Sequence, residues 1–199
     1  MNSWASEVIA EPRDMQKTVD ESIIDGVMSG LIRQNDTAEE RFVPKLISNQ
    51  PGSTMGDAIR EELKGSESFD ISVAFVSENA LKSMYQAFVD HAKKSGKRNR
   101  IITSTKNYFN SPKAFKELMK LQRDANVEVL IWEHGDSGES GGTIAQDQPF
   151  HPKGYLFTRR MEEGRAYYNL YVGSSNLTSF ALQNQREWNL RVSSTSEAQ

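Results

Sequence analysis

Three short groups of polar residues in the last quarter of the sequence could together cleave a phosphodiester. The run H-P-K spans 151–153, the run G-S-S-N spans 173–176, and Glu187 follows both. If His151 and Lys153 open a strand, their side chains project to the same side, because alternate residues of a strand share a face. An imidazole nucleophile then lies beside an ammonium group that can bind phosphate oxygens. This arrangement predicts phosphoryl chemistry that needs no metal ion.

Strand patterns on either side of these residues predict where their side chains point. The run 167–172 is apolar, and a turn after it can direct the short side chains of Ser174 and Asn176 toward the same phosphate oxygens. Glu187 begins another alternating pattern. One face of that pattern carries Trp188, Leu190 and Val192, and the other carries Glu187, Asn189 and Arg191. The alternation therefore predicts that the Glu187 carboxylate faces away from the core.

Strand and helix patterns alternate through the middle of the sequence. We predict a helix at 55–63, a helix between Ser77 and Gly96, a helix that starts at Pro112, and strands at 69–75, 100–104 and 127–132. Ser77 and Ser111 are predicted helix N-caps, and Gly96 lies just past a predicted helix end. This alternation is typical of an α/β fold with a largely parallel sheet flanked by helices.

Two segments lie outside this alternation. Apolar residues recur at every fourth position from Met15 to Leu31, which predicts an amphipathic helix at 16–34. That helix either packs on the domain or forms a contact surface for another domain or subunit. The glycine-rich run 135–148 predicts a mobile loop before the H-P-K run, acting as a lid or as a plain connection. We predict a helical extension at 1–40, a core domain at 41–192 and a linker at 193–199.

Length, charge and cysteine content narrow the possible functions. The 199 residues suit one domain of ordinary size, and the absence of cysteine excludes disulfides and thiolate metal sites. No signal peptide or membrane-spanning apolar run is visible, so we expect a cytoplasmic protein. A net charge of -3 gives no general attraction for nucleic acid, so DNA affinity must be local. The candidate basic cluster beside the H-P-K run is Lys153, Arg159 and Arg160.

The order H-x-K, G-S-x-N and a downstream Glu resembles the phospholipase D superfamily, which is named for its H-K-D motif. The run 171–178, followed by Glu187-Trp188-Asn189, is similar to the phospholipase D-like domain at the N-terminus of certain bacterial superfamily 2 helicases. The resemblance extends from about Leu46 to Val192 and is strongest from 151 onward. One position departs from the family pattern, because the Asp of the motif falls at Thr158 in this chain.

The resemblance implies a role for each residue of the motif. His151 would form a covalent phosphohistidine, Lys153 and Asn176 would bind the nonbridging oxygens, and Ser174 would add a hydroxyl donor. Glu187 would accept a hydrogen bond from the second imidazole nitrogen and hold the tautomer. A histidine from a second copy of the motif would protonate the leaving oxygen. Since this chain has one copy, the resemblance implies a homodimer with a composite site.

The sequence supports three functional hypotheses. The first is a metal-independent and cofactor-free nuclease or phosphodiesterase that acts on DNA, within a larger helicase-nuclease. The preference for DNA over RNA and the strand structure stay open. The second, favoured by Thr158 and the acidic net charge, is a nucleic-acid-binding or dimerisation module without turnover. The third, phospholipid hydrolysis, is disfavoured because no apolar membrane-facing segment is visible.

Two further motif searches limit the hypotheses. The sequence has no G-x-x-x-x-G-K-[ST] phosphate-binding loop, so we expect no ATP hydrolysis by the chain itself. The other two histidines, His91 and His134, lack an H-x-K context, and we interpret both as ordinary residues. The spacing of the histidines and acidic residues matches neither a zinc site nor a calcium loop.

Overall fold

The computed structural model describes residues 40–105, 110–132 and 150–195, and within these ranges a seven-stranded sheet packs against three α-helices. The strands are β1 Lys45–Ile47, β2 Ser68–Val73, β3 Asn99–Ser104, β4 Val127–Trp132, β5 Lys153–Arg160, β6 Ala166–Gly173 and β7 Asn189–Thr195. The α-helices are α1 Met55–Gly65, α2 Glu78–Ser95 and α3 Pro112–Asp124. A 3-10 turn at Glu40–Phe42 precedes β1, and a π-helix at Phe180–Asn184 lies between β6 and β7.

The strand order is β1-β7-β6-β5-β2-β3-β4, and most of the pairings are antiparallel. Only β2 with β3 and β3 with β4 pair in parallel among the described strands. The prediction of a largely parallel sheet is therefore wrong, although the α/β class and the flanking helices are confirmed. Parallel neighbours need a long crossover, which α2 and α3 provide. The chain from β5 to β7 contains no α-helix among its described residues, so these strands return antiparallel.

The sequence signals for the helix ends are confirmed. The Ser77 and Ser111 hydroxyls each accept a hydrogen bond from the backbone N–H three residues later, at 3.2 Å in both cases. Pro112 occupies the first turn of α3, where its missing N–H costs no helical bond. Gly96 ends α2 with a left-handed φ of 62°, a conformation that glycine adopts without strain.

The core lies between one face of the sheet and the helices. Phe69, Ile71 and Val73 of β2 point into it, and Tyr155 and Phe157 of the neighbouring β5 pack beside them. The helices contribute Met55, Ile59, Leu63, Leu81, Met84, Phe88 and Leu118. This apolar layer holds the central strands in one register, and that register fixes which residues emerge at each end of the sheet.

A buried carboxylate attaches α1 to the antiparallel half of the sheet. Glu62 is 3% exposed, and it accepts hydrogen bonds from Asn169 at 2.7 Å, Tyr171 at 2.8 Å and Arg159 at 2.9 Å. Three donors on one carboxylate offset much of the cost of removing its charge from water. They place α1 over β5 and β6, and this packing keeps those strands in position beneath the helix.

Several predicted features fall on residues beyond the described ranges. The amphipathic helix at 16–34 and the glycine-rich loop at 135–148 both lie outside the described residues. The last strand, β7, continues to Thr195, three residues past the predicted end of the core domain at 192. In the described ranges, no helix is both long and apolar enough to cross a bilayer.

Candidate active site

The strand register brings the ends of four neighbouring strands to one edge of the sheet. Lys153 opens β5 opposite Val73 near the end of β2, and Gly173 ends β6 opposite Asn189, where β7 begins. The residues just outside these strand ends must therefore lie side by side. All five residues that the sequence singles out line one open cavity of about 710 Å³. They are His151, Lys153, Ser174, Asn176 and Glu187.

The cavity also contains residues that the sequence analysis missed. Phe75, Thr178 and Gln185 line it together with Gly173 and Ala181. Phe75 lies two residues after the end of β2, and the next residue, Val76, forms an isolated parallel bridge to Leu177. That contact joins segments about 100 residues apart in the chain. No local pattern in the sequence indicates such a long-range contact, so only the fold identifies Phe75 as a wall of the site.

His151 and Lys153 lie together at the mouth of the cavity. The Lys153 Nζ is 2.7 Å from the His151 Nδ1 and donates to the His151 carbonyl oxygen at 3.1 Å. The Phe75 ring and the imidazole pack in a T-shaped arrangement, with the ring centroids 5.7 Å apart. Partial burial lowers the pKa of Lys153 from its ordinary value of 10.5, and the nearby Glu187 carboxylate opposes this shift. An exposed imidazole with an adjacent cation can attack and hold an anionic phosphate.

The amide of Asn176 is oriented by the backbone that follows β2. Its Oδ1 accepts the Phe75 N–H at 3.1 Å, which fixes the oxygen and nitrogen ends of the side chain. With the oxygen committed to a backbone donor, the Nδ2 hydrogens are the groups that can bind an anion. The geometry thus suits Asn176 for the phosphate-binding role that the family resemblance implies.

Ser174 and Glu187 form a pair within the cavity. The Ser174 hydroxyl donates to the Glu187 carboxylate and accepts the Trp188 N–H at 3.2 Å. A serine has a single hydroxyl hydrogen, so in this arrangement Ser174 orients Glu187 and has no hydrogen left for a phosphate. In the described part of the chain, no hydrogen bond links Glu187 to His151, and the predicted contact that holds the tautomer stays a prediction.

The predicted facing of the last strand is wrong. Glu187 and Asn189 are buried, at 8% and 1% exposed, whereas Trp188 is 44% exposed. Polar side chains fill the interior at this end of the sheet, because they hydrogen-bond to the turn beside them. An interpretation that equates apolar residues with the core therefore assigns the two faces in reverse. The inward direction is what brings Glu187 into the cavity.

The turn after β6 is held by Asn189. Its Oδ1 accepts the Ser175 N–H at 3.2 Å, and its Nδ2 donates to the Ser175 hydroxyl at 2.8 Å. The Tyr155 hydroxyl, from the core, donates to the Ser175 carbonyl oxygen at 2.9 Å. Ser175 is fully buried and points away from the cavity, whereas its neighbours Ser174 and Asn176 both line the cavity.

The predicted basic cluster does not form at the site. Arg159 and Arg160 lie toward the opposite end of β5, about 20 Å along the strand from its first residue. Arg159 is paired with Glu62 at 2.9 Å, and Arg160 with Glu67 at 2.7 Å. Hydrogen bonds from Arg160 and Lys97 lower the pKa of Glu67 to about 2. These ion pairs neutralise both arginines, so Lys153 is the member of the predicted cluster that lines the cavity.

The departure from the family motif also lies far from the cavity. Thr158 is on β5 opposite Ser68, and its carbonyl oxygen accepts the Glu67 N–H at 2.7 Å. It lies five positions after Lys153, which corresponds to about 16 Å along a strand. Thr158 therefore changes no group that lines the cavity.

The described residues hold no cluster of three or more His, Cys, Asp or Glu side chains with the geometry of a metal site. The carboxylate in the cavity, Glu187, is instead bonded to Ser174. The imidazole of His151, the ammonium of Lys153 and the amide nitrogen of Asn176 all face the cavity, and groups of these kinds bind anions.

Comparisons with known proteins agree with this architecture. A family model described as "Cardiolipin synthase, PLD-like domain" matches residues 59–199. No curated protein matches the sequence. The solved structure of NucT from Helicobacter pylori superposes with a TM-score of 0.51 at 17% identity, covering 78% of this chain and 87% of that one.

Two other solved structures align with similar lengths of this chain. A polyphosphate kinase from Porphyromonas gingivalis gives a TM-score of 0.51 at 15% identity, over 78% of this chain and 25% of that one. Nuc from Salmonella typhimurium, a phospholipase D family member, gives a TM-score of 0.49 at 16% identity, over 78% of this chain and 85% of that one.

The close approach of β6 and β7 at Gly173 gives a testable prediction. A Cβ on Gly173 would lie 2.1 Å from the Trp188 carbonyl oxygen and 2.6 Å from the Asn189 Oδ1. We expect Gly173→Ala to force the strands apart and to lower the free energy of unfolding by about 1–3 kcal/mol. Urea denaturation measures this change. Gly154→Ala on β5 is the matched control, because its Cβ meets no atom within 4 Å. Equal stability of the two variants would contradict the prediction.

Proposed function

The chain belongs to the phospholipase D-like family, and we propose that it is a phosphodiesterase of the nuclease type that cleaves DNA through His151. The observation that carries the proposal is the convergence of His151, Lys153 and Asn176 on one open cavity. A nucleophile, a cation and an oriented amide donor are together sufficient to bind a phosphodiester and to attack it.

In the first proposed step, a neutral nitrogen of His151 attacks the phosphorus atom. A P–N bond forms, the P–O bond to the leaving group breaks, and the leaving oxygen takes a proton from a second, protonated histidine. Negative charge on the nonbridging oxygens is stabilised by the Lys153 ammonium and the Asn176 amide. The products of this step are a phosphohistidine and a free strand end.

In the second proposed step, water replaces the histidine. The second histidine, now neutral, removes a proton from the attacking water, the new P–O bond forms and the P–N bond breaks. His151 is released neutral and the phosphate stays on the other strand end. Glu187, oriented by Ser174, contributes a negative charge that favours the cationic imidazole of the intermediate.

The second histidine of this scheme comes from a second copy of the chain. The sequence has one H-x-K motif, so a homodimer with the two cavities facing across a twofold axis would supply both imidazoles. The exposed position of His151 at the mouth of the cavity supports this proposal, since a buried ring could not reach a partner.

The resemblance to the N-terminal domain of superfamily 2 helicases suggests the setting of the reaction. We propose that a linked motor domain delivers the DNA strand to this site and that the protein acts in the cytoplasm. A nucleic-acid-binding module without turnover is the alternative. The distance of Thr158 from the cavity removes one of its two supports and leaves the acidic net charge.

Cleavage by the isolated chain tests the function directly. We expect the wild-type protein to cleave labelled single- or double-stranded DNA in the presence of EDTA, and His151→Ala to lose at least 100-fold in rate, roughly the contribution of a positioned catalytic group. Rapid acid-free quenching should capture a labelled phosphohistidine in the wild type. Met119→Ala, at an exposed position of α3, is the control for effects of substitution and purification that do not involve the cavity. Equal cleavage by His151→Ala, or DNA binding without cleavage or adduct, would refute the proposal.

The lowered pKa of Lys153 predicts a pH dependence. Because burial disfavours its charged form, Lys153 loses its proton at a lower pH than an exposed lysine, and activity should fall on the alkaline side as it does so. Lys153→Arg keeps its charge throughout this range, so its alkaline fall should move to higher pH, with a lower maximum because the geometry differs. Cleavage rates from pH 7 to 11 measure both profiles. An unchanged alkaline midpoint would show that another group titrates.

Mixing experiments test the composite site. If each active site needs a histidine from both subunits, re-equilibrated mixtures of wild type and His151→Ala lose activity as the square of the wild-type fraction. A monomeric site would instead lose activity in direct proportion to that fraction. Light scattering at micromolar concentration gives the oligomeric state independently, and a strict monomer with full activity would exclude the dimer.

A further inference from the structure

Two aromatic rings stack beside the cavity without lining it. Trp132 ends β4, and its ring lies over that of Phe150 with the centroids 5.7 Å apart and the planes 21° from parallel. Trp132 is 47% exposed, so a large part of its indole surface faces solvent. Neither ring belongs to the apolar core or to the reacting groups described above.

The fold places this aromatic pair next to the phosphate-binding residues. Parallel pairing aligns the last residues of β2, β3 and β4, so Trp132 emerges at the same sheet edge as Phe75. Phe150 directly precedes His151, with the two Cα atoms about 3.8 Å apart. The rings of Phe75 and His151 are in contact, so a second aromatic pair borders the nucleophile.

Electrostatic attraction alone is a weak source of affinity at this site. The chain has a net charge of -3, and both Arg159 and Arg160 are engaged by glutamates. Aromatic rings bind nucleobases by stacking, which depends little on charge or on base identity. An exposed indole beside a phosphate site can therefore supply the affinity that the surface charge does not.

We propose that the Trp132–Phe150 pair is a stacking platform that binds an unpaired nucleobase of the DNA strand whose phosphate occupies the cavity. This inference rests on the proposed function for the identity of that strand. Phe150 and His151 are consecutive in the chain, so the base on the platform belongs to a nucleotide that flanks the cleaved one. A base inside a duplex has both faces covered by its neighbours and cannot stack on the indole. The platform thus selects single-stranded DNA.

Oligonucleotide binding tests the platform in the His151→Ala background, in which the bound DNA is not expected to be cleaved. Fluorescence anisotropy would compare a labelled single strand, the same strand with abasic residues flanking the central phosphate, and the corresponding duplex. We expect Trp132→Ala to weaken binding of the intact strand about tenfold and to leave binding of the abasic strand and the duplex unchanged. Trp132→Phe, which keeps an aromatic face, should retain most of the affinity. Met119→Ala is the exposed control.

The outcomes separate the platform from the proposed function. If Trp132→Ala weakens binding of the intact and abasic strands equally, Trp132 only supports the fold near His151, and the platform is overturned. Unchanged binding of the intact strand would overturn it as well. Thermal denaturation of each variant accompanies the binding data. Cleavage by the wild type with no effect of Trp132→Ala would refute the platform alone. Base-dependent binding without any cleavage would refute the proposed nuclease and leave the platform in place.

Discussion

The hydrogen bonds of the Asn189 side chain to Ser175 are the contact on which the rest of the site depends. They join the first residue of β7 to the turn that follows β6, where the absence of a side chain at Gly173 lets the two strands approach closely. Because Ser175 is turned into the protein, the residues on each side of it are turned out. The orientation of Ser174 and Asn176, and through Ser174 that of Glu187, follows from this buried amide.

The polar groups of the cavity divide their bonding capacity between the protein and a ligand. Asn176 uses its oxygen to accept a backbone N–H and so keeps its nitrogen for an anion, while Ser174 uses its hydrogen on Glu187. Lys153 contacts His151 from a partly buried position. Burial there removes part of the hydration of its ammonium group and so lowers its pKa. Such prior orientation reduces the rearrangement needed when a charged substrate binds.

The sequence predicted the elements and the reacting residues better than their arrangement. The helix caps at Ser77, Ser111 and Gly96 are local signals, and each is confirmed. The sheet was predicted as largely parallel because its first half alternates strands with helices, whereas β5 to β7 return without such crossovers. Phe75 could not be predicted as part of the site, since its contact with Asn176 spans 101 residues. The facing of Glu187 was missed because asparagine and glutamate occupy positions where apolar residues are the usual expectation.

Most of the reacting groups lie on one continuous stretch of chain, from His151 to Glu187, which folds back and forth through β5, β6 and β7. Contacts of this kind have low sequence separation, and closing them costs little chain entropy. The bond between Asn176 and Phe75, and the pairing of β1 with β7, require much longer closures. We therefore expect the imidazole, ammonium and carboxylate to be assembled early during folding, and the oxyanion-binding amide to reach its working orientation only when the distant half of the chain has docked.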